Sequence, residues 1–339
     1  MNKRRRLLPR LLFLCFAGLF FAAGLLLALF QAWRMDRLVD LFAGSEVAAL
    51  PLGAMEFTRR GDGPPVLVFH SSPGGYDQAL ALGEFIADAG FEIIAPSRPG
   101  YLRTPLATGV TPGNQADAAA QLLDFLSSGP VAVVGVGWGG PVALEFARRF
   151  PDRTKALVLV SAVSQPVKGT FPEEIEKALG GTRGKWLALG DSGSDLNKEL
   201  SSAAQLTLTG SSAERDAWVN QVRGNPDQLA LFQELILSIL PLDSRMEGLR
   251  NDVRQASALP QEELSGITPP VLVLHGALDQ AVPVTHAEVA KSKIAGSELL
   301  VLPGEGHLVL LGRSADAAKK GIVSFLNKHL KLAEKSHAE

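Results

Sequence analysis

Two residues near the carboxyl end of the chain, Asp279 and His307, stand 28 positions apart, each just beyond a short apolar run. An imidazole whose tautomer is fixed by a carboxylate is a general base for hydrolytic or proton-transfer chemistry. Two glycine-rich turns stand in the same relation to apolar runs: His70-Ser71-Ser72-Pro73-Gly74-Gly75, and Gly135-Val136-Gly137-Trp138-Gly139-Gly140. Backbone N–H groups in such turns, particularly where a helix begins, stabilise developing negative charge. The Trp138 indole is expected to line a pocket wall. A lone His and a lone Asp at loop ends are usually solvated residues; their position after successive strands is what makes them a pair. Other residues receive plainer roles. His70 braces its loop, His275 caps a strand, and His286 sits at a helix start without metal-ligand spacing. The hydroxyl of Ser71 or Ser72 is a minor candidate for a nucleophile, disfavoured by the backbone role of this loop, because the side chain would have to turn toward His307.

The elements that must position these residues alternate along the chain. Apolar strands are expected at 65–70, 91–96, 131–136, 156–161, 269–275 and 299–302, and helices at 77–89, 111–126, 141–150 and 315–330. Residues 56–60 and 65–70 flank Gly61-Asp62-Gly63 and read as a β-hairpin. Continuous apolar strands alternating with helices predict an α/β fold, a mostly parallel sheet covered on both faces. Ligands of such sheets sit beyond the carboxyl ends of the strands, where all four turns lie. The alternation breaks between 163 and 268, which carries helical patterns only, including the apolar run 229–240, and reads as an inserted helical lid. The α/β core is then 50–162 plus 269–331, with a polar tail at 332–339.

The amino end is different in kind. The first ten residues include Lys3, Arg4, Arg5, Arg6 and Arg10 and no acid, and residues 11–33 carry no charge at all. As a helix that run would span about 35 Å, enough to cross a bilayer core of ~30 Å. It exceeds the usual signal-peptide core and lacks a small residue at the outer position of an A-x-A site, so an uncleaved anchor is expected. The preceding bases keep residues 1–10 cytoplasmic and put the body on the periplasmic or outer side. The chain carries 33 Lys+Arg against 35 Asp+Glu, a net charge of −2, with no basic stripe, which argues against nucleic acid as a partner. The single cysteine excludes an internal disulfide and Cys-ligated metal sites.

Taken together, the four turns, their chain order and the place of the helical insertion resemble the α/β-hydrolase family over residues 55–331. Ala95-Pro96-Ser97-Arg98-Pro99-Gly100-Tyr101 is similar to that family's loop after its next strand. The resemblance implies an α/β-hydrolase fold, His307 as base, Asp279 as its orienting acid, the N–H groups of Trp138 and Ser72 as the oxyanion hole, and ester-type substrates. Two positions depart. The family's elbow reads G-x-S-x-G with a serine nucleophile, where this chain has Gly137; and His70-Ser71 stands where the family usually has His-Gly. Glycine cannot form an acyl-enzyme, and it relaxes a turn in which other residues are strained. Residues 135–140 also fit G-x-G-x-x-G, but no acid lies between Arg153 and Phe171 to hold a ribose, so a dinucleotide is not expected. No cofactor or metal is implied. Three functional readings follow: an enzyme in which His307 and Asp279 activate water; a non-catalytic relative that binds a small apolar ligand or a protein partner under its lid; and a hydrolase altered from a parent with serine at 137.

Overall fold

The computed structural model describes residues 4–167, 196–259 and 262–330. The chain divides into two compact units, Met1–Gly44 and Ser45–Glu339. The first is one helix, α1 (Arg4–Ala43). Its segment Phe13–Ala43 is long and apolar enough to cross a membrane, with a mean hydropathy of 2.5 over its most apolar 18 residues. The helix continues well past Trp33, where the expected span ended, because none of residues 34–43 is a helix breaker.

The second unit is an eight-stranded sheet in the order β1-β2-β4-β3-β5-β6-β7-β8. Its strands are β1 (Glu46–Leu50), β2 (Gly53–Arg60), β3 (Pro65–Phe69), β4 (Glu92–Pro96), β5 (Val131–Val136), β6 (Thr154–Val160), β7 (Val271–Gly276) and β8 (Glu298–Leu302). All pairings from β4 onward are parallel; β1–β2 and β2–β4 are antiparallel. The expected hairpin between 56–60 and 65–70 does not form. β4 inserts between β2 and β3, with Phe57 opposite Pro96 and Val66 opposite Ile93. Gly61-Asp62-Gly63 instead passes tightly over the backbone at Gly90 and Phe91, at the entrance to β4.

The apolar runs divide by alternation into two faces. In β5, Val131 and Val133 face α3 (Pro112–Phe125), α4 (Gly140–Arg149) and α9 (Thr285–Lys293). Ala132, Val134 and Val136 face α2 (Tyr76–Asp88) and α10 (Ala315–Leu330). Both faces are covered, so every residue of β5 and β7 is buried. Helix boundaries follow local chemistry: Thr111 caps α3 by accepting the Asn114 N–H, with Pro112 at the first helical position.

Between β6 and β7 the described residues form α5 (Leu196–Thr207), α6 (Ser212–Gly224), α7 (Pro226–Leu237) and α8 (Met246–Gln255). Residues 168–195 of the expected lid lie outside the described residues. Within the run 229–240, Phe232 is buried against Trp218, Val219 and Val222 of α6.

Candidate active site

β3 is flanked by β4 on one side and β5 on the other, so the chain reverses its winding between β3 and β5. Loops at such a switch point splay apart and leave a crevice beyond the strand ends. The turns after β3 and β5 meet there. Gly137 opens a single 3₁₀ turn that runs into α4, with φ +51, the left-handed region that only glycine adopts without steric cost. Gly139 lies so close to the Phe69 and His70 carbonyls that a Cβ would overlap them, which brings the start of α4 against the end of β3.

From the other side come the loops after β7 and β8. His307 Nδ1 donates to Asp279 Oδ2 at 2.9 Å, the contact anticipated from their order in the chain. Asp279 is buried and held by further donors: the Val282 N–H reaches Oδ1 at 2.8 Å, and His275 Nε2 lies 3.2 Å from Oδ2. His275 is thus more than a strand cap, since it donates between the Val282 carbonyl (2.7 Å) and this carboxylate. Burial pushes the Asp279 carboxyl up, but the neighbouring His307 charge and the histidine hydrogen bonds outweigh it and hold the group at about 2. For His307, burial pulls the pKa down, while the Asp279 charge and hydrogen bond outweigh it and raise the group above its ordinary value. With Nδ1 donating to the carboxylate, Nε2 of the neutral ring is the free base, and it lies 3.4 Å from the place a Cβ on Gly137 would take.

The turn at 137 is filled from across the crevice. A Cβ on Gly137 would collide with Ser71 Oγ and lie 3.0 Å from Ser71 Cβ. The Trp138 N–H donates to that same Ser71 Oγ at 3.2 Å. The sequence reading disfavoured a turn of this side chain toward His307; the structure points it into the Gly137 turn, where no side chain at 137 occupies the space. The Ser71 backbone is fixed on both sides, its N–H donating to Gln78 Oε1 (3.0 Å) and its carbonyl accepting from His70 Nδ1 (2.6 Å). His70 Nε2 accepts the Arg98 N–H at 2.9 Å, so the ring is neutral and braces the loop as expected. Burial and then the Arg98 charge keep its pKa well below the ordinary value.

Ser72 turns the opposite way. Its hydroxyl joins Tyr101, Arg98 and Asp252 in a buried cluster. Arg98 donates to both Asp252 oxygens, at 2.9 and 2.6 Å, and Tyr101 to Oδ2 at 2.6 Å. Asp252 lies on α8, so this cluster ties the inserted helices to the loops after β3 and β4. Sequence reasoning passed over Asp252, and also the carboxyl end of α5 with the residues just after it. There the Thr207 carbonyl accepts the N–H of His307 (2.9 Å), and the Thr209 N–H reaches the Leu278 carbonyl (2.8 Å). One segment of the insertion therefore grips both the His307 and Asp279 loops. The Trp138 side chain is buried with Val163, Ala256, Leu259 and Val282, and lines a small cavity with Arg98, Gln115 and Asp252. His286 lies in the first turn of α9, its Nδ1 accepting the Ser164 N–H at 3.1 Å. Among the described residues no group of three or more His, Cys, Asp or Glu is placed to hold a metal ion.

A family profile described as the alpha/beta hydrolase fold matches residues 64–314. The chain belongs to the alpha/beta hydrolase family. Its similarity to other members extends over most of its length. It is 29% identical to an uncharacterized hydrolase, YcgS, of Bacillus subtilis over 284 residues, covering 81% of this chain and 95% of that one. An alpha/beta hydrolase fold protein from Nakamurella multipartita shares 33% identity at a TM-score of 0.76, over 83% of this chain and 98% of the other. A thermophilic esterase from Thermogutta terrifontis shares the fold at a TM-score of 0.62 and 22% identity, over 85% and 99% of the two chains.

Proposed function

We propose that this α/β-hydrolase cleaves acyl substrates of the carboxylic-ester class, with His307 as general base. Asp279 fixes the tautomer of His307 and stabilises the imidazolium formed when Nε2 takes a proton. The Trp138 and Ser72 N–H groups receive the oxyanion. The observation that carries this reading is the 2.9 Å hydrogen bond from His307 Nδ1 to Asp279, with Nε2 facing the Gly137 turn. The hydrolase name of the Bacillus subtilis relative supports hydrolysis as the reaction. Two observations favour a second reading, ligand binding without turnover: the Trp138 N–H is engaged by Ser71 Oγ, and residue 137 has no nucleophile.

The two readings part on one experiment. The full chain in detergent is assayed on p-nitrophenyl esters from acetyl to decanoyl, beside His307→Ala. A general base contributes roughly 10²–10⁴-fold, so the variant should lose at least about 100-fold in kcat/KM. Equal rates in the two proteins would leave binding as the function. The bases ahead of the apolar segment of α1 support an anchor with the body on the outer side of the membrane. Protease accessibility of the body in spheroplasts tests that placement, and protection of the body would refute it.

A further inference from the structure

We propose that Ser71 is the nucleophile of this site, its hydroxyl taking the place that Gly137 leaves without a side chain, so that the acyl group is carried on Ser71 Oγ during turnover. The proposal rests on the hydrolase reading above and names the atom that attacks.

Ser71 Oγ and His307 Nε2 converge on one point, the position a Cβ on Gly137 would take. In the family's arrangement the attacking hydroxyl is carried from that very point, so Ser71 reaches from the β3 loop into the space an elbow serine side chain would enter. The two departures from the family pattern explain each other. Gly137 opens the space, and a residue larger than glycine at 71 fills it with the one chemical group that was lost. Nor is the placement loose, because the Ser71 backbone is clamped by Gln78 on one side and His70 on the other. A hydroxyl held this way meets its base by rotation about χ1. Here Oγ is engaged by the Trp138 N–H, and catalytic hydrogen bonds commonly tighten only when substrate is bound.

The electron accounting closes without any further reagent. Ser71 Oγ attacks the ester carbonyl carbon while its proton passes to His307 Nε2; the carbonyl π pair moves onto oxygen. The Trp138 N–H passes from Oγ to the new oxyanion, which sits on the same carbon. Collapse breaks the C–O bond to the alcohol, which leaves with the proton from Nε2, and the acyl group remains on Ser71. Water then attacks that ester, giving its proton to Nε2. Expulsion of Ser71 Oγ, which recovers the proton, releases the acid.

The test is adduct mapping with a biotinylated fluorophosphonate, in which Oγ–P forms, P–F breaks and the proton goes to His307. The full chain in detergent should carry one adduct, on Ser71, and His307→Ala should abolish it. Ser71→Ala should lose the adduct and, on p-nitrophenyl butyrate, lower kcat by roughly 10³-fold or more. Ser71→Cys, which keeps an attacking atom, should give a burst of p-nitrophenol equal to the enzyme concentration followed by slow turnover. The adduct map on the unmutated chain decides the matter even where Ser71→Ala folds poorly. An adduct on another residue overturns the proposal. So does His307-dependent turnover that survives in Ser71→Ala, which would leave the hydrolase reading intact with water as the attacking group. Absence of both turnover and labelling in the unmutated chain would remove the two readings together.

Discussion

Replacing Gly137 by serine restores the family's elbow sequence, yet the structure predicts that this change alone damages the protein. Two costs add. The backbone at 137 has φ +51, where a side chain is strained by about 1–3 kcal/mol. The new Cβ would also overlap Ser71 Oγ and lie 3.0 Å from Ser71 Cβ, inside the 3.5–4.0 Å at which carbon atoms attract. Overpacking of this kind costs about 1–3 kcal/mol. Gly137→Ser should therefore lose about 2–6 kcal/mol, a large part of a domain stability of about 5–15 kcal/mol. Ser71→Gly removes the colliding atoms and leaves only the backbone strain. Combined with Gly137→Ser, it should recover about 1–3 kcal/mol relative to the sum of the single changes. Urea denaturation of the four proteins in one detergent measures this coupling, provided that the m-values agree. The double variant should also take a fluorophosphonate label at position 137, since His307 Nε2 lies 3.4 Å from the new Cβ. Stabilities that add to within about 0.5 kcal/mol would refute the reasoning, because the Ser71 hydroxyl would then not occupy the turn.

Two further outcomes follow from buried groups. Asp252→Ala strands the Arg98 guanidinium, which is 1% exposed, and should destabilise by about 3–5 kcal/mol in the same urea assay; a loss under 1 kcal/mol would mean that α8 is not tied to the core through this pair. His286 is held neutral, its pKa lowered to about 4 first by burial and then by the charge of His275. Because the folded value lies below the unfolded value near 6.5, the unfolded chain binds the proton first. Stability is then present above pH 6.5 and lost as pH falls toward 4, by about 3 kcal/mol at ~1.36 kcal/mol per unit. His286→Gln should flatten that part of the stability–pH curve, and an unchanged slope would contradict the assignment.

The strands from β3 to β8 were legible because each is five to seven residues of mostly apolar or β-branched sequence, too short for a helix. What fails at that level is pairing. Gly61-Asp62-Gly63 has hairpin chemistry, yet β2 pairs with β4, whose residues come more than 30 positions later and are fixed by the crossover helix α2. β1 was missed because Glu-Val-Ala-Ala-Leu carries almost no strand signature and pairs only at the sheet edge. The chain order of Asp279 and His307 was enough to bring them together. The direction of the Ser71 side chain was not, since it depends on the adjacency of β3 and β5 and on the space at Gly137. Asp252 was out of reach for another reason: it meets Arg98 across 154 residues, from a helix whose place on the core no local pattern records.

The dependence of turnover on pH, measured for the unmutated chain and for Asp279→Asn, tests the role of His307 most directly. The carboxylate raises the His307 pKa against the opposing effect of burial, so activity on p-nitrophenyl acetate should rise with pH along a limb whose midpoint lies above 6.5. In Asp279→Asn only the burial remains, and the midpoint should fall below 6.5. The rate on the plateau should also drop by roughly 10²–10⁴-fold as the orienting acceptor and imidazolium stabilisation are lost. An identical limb and plateau in both proteins would contradict His307 as the working base.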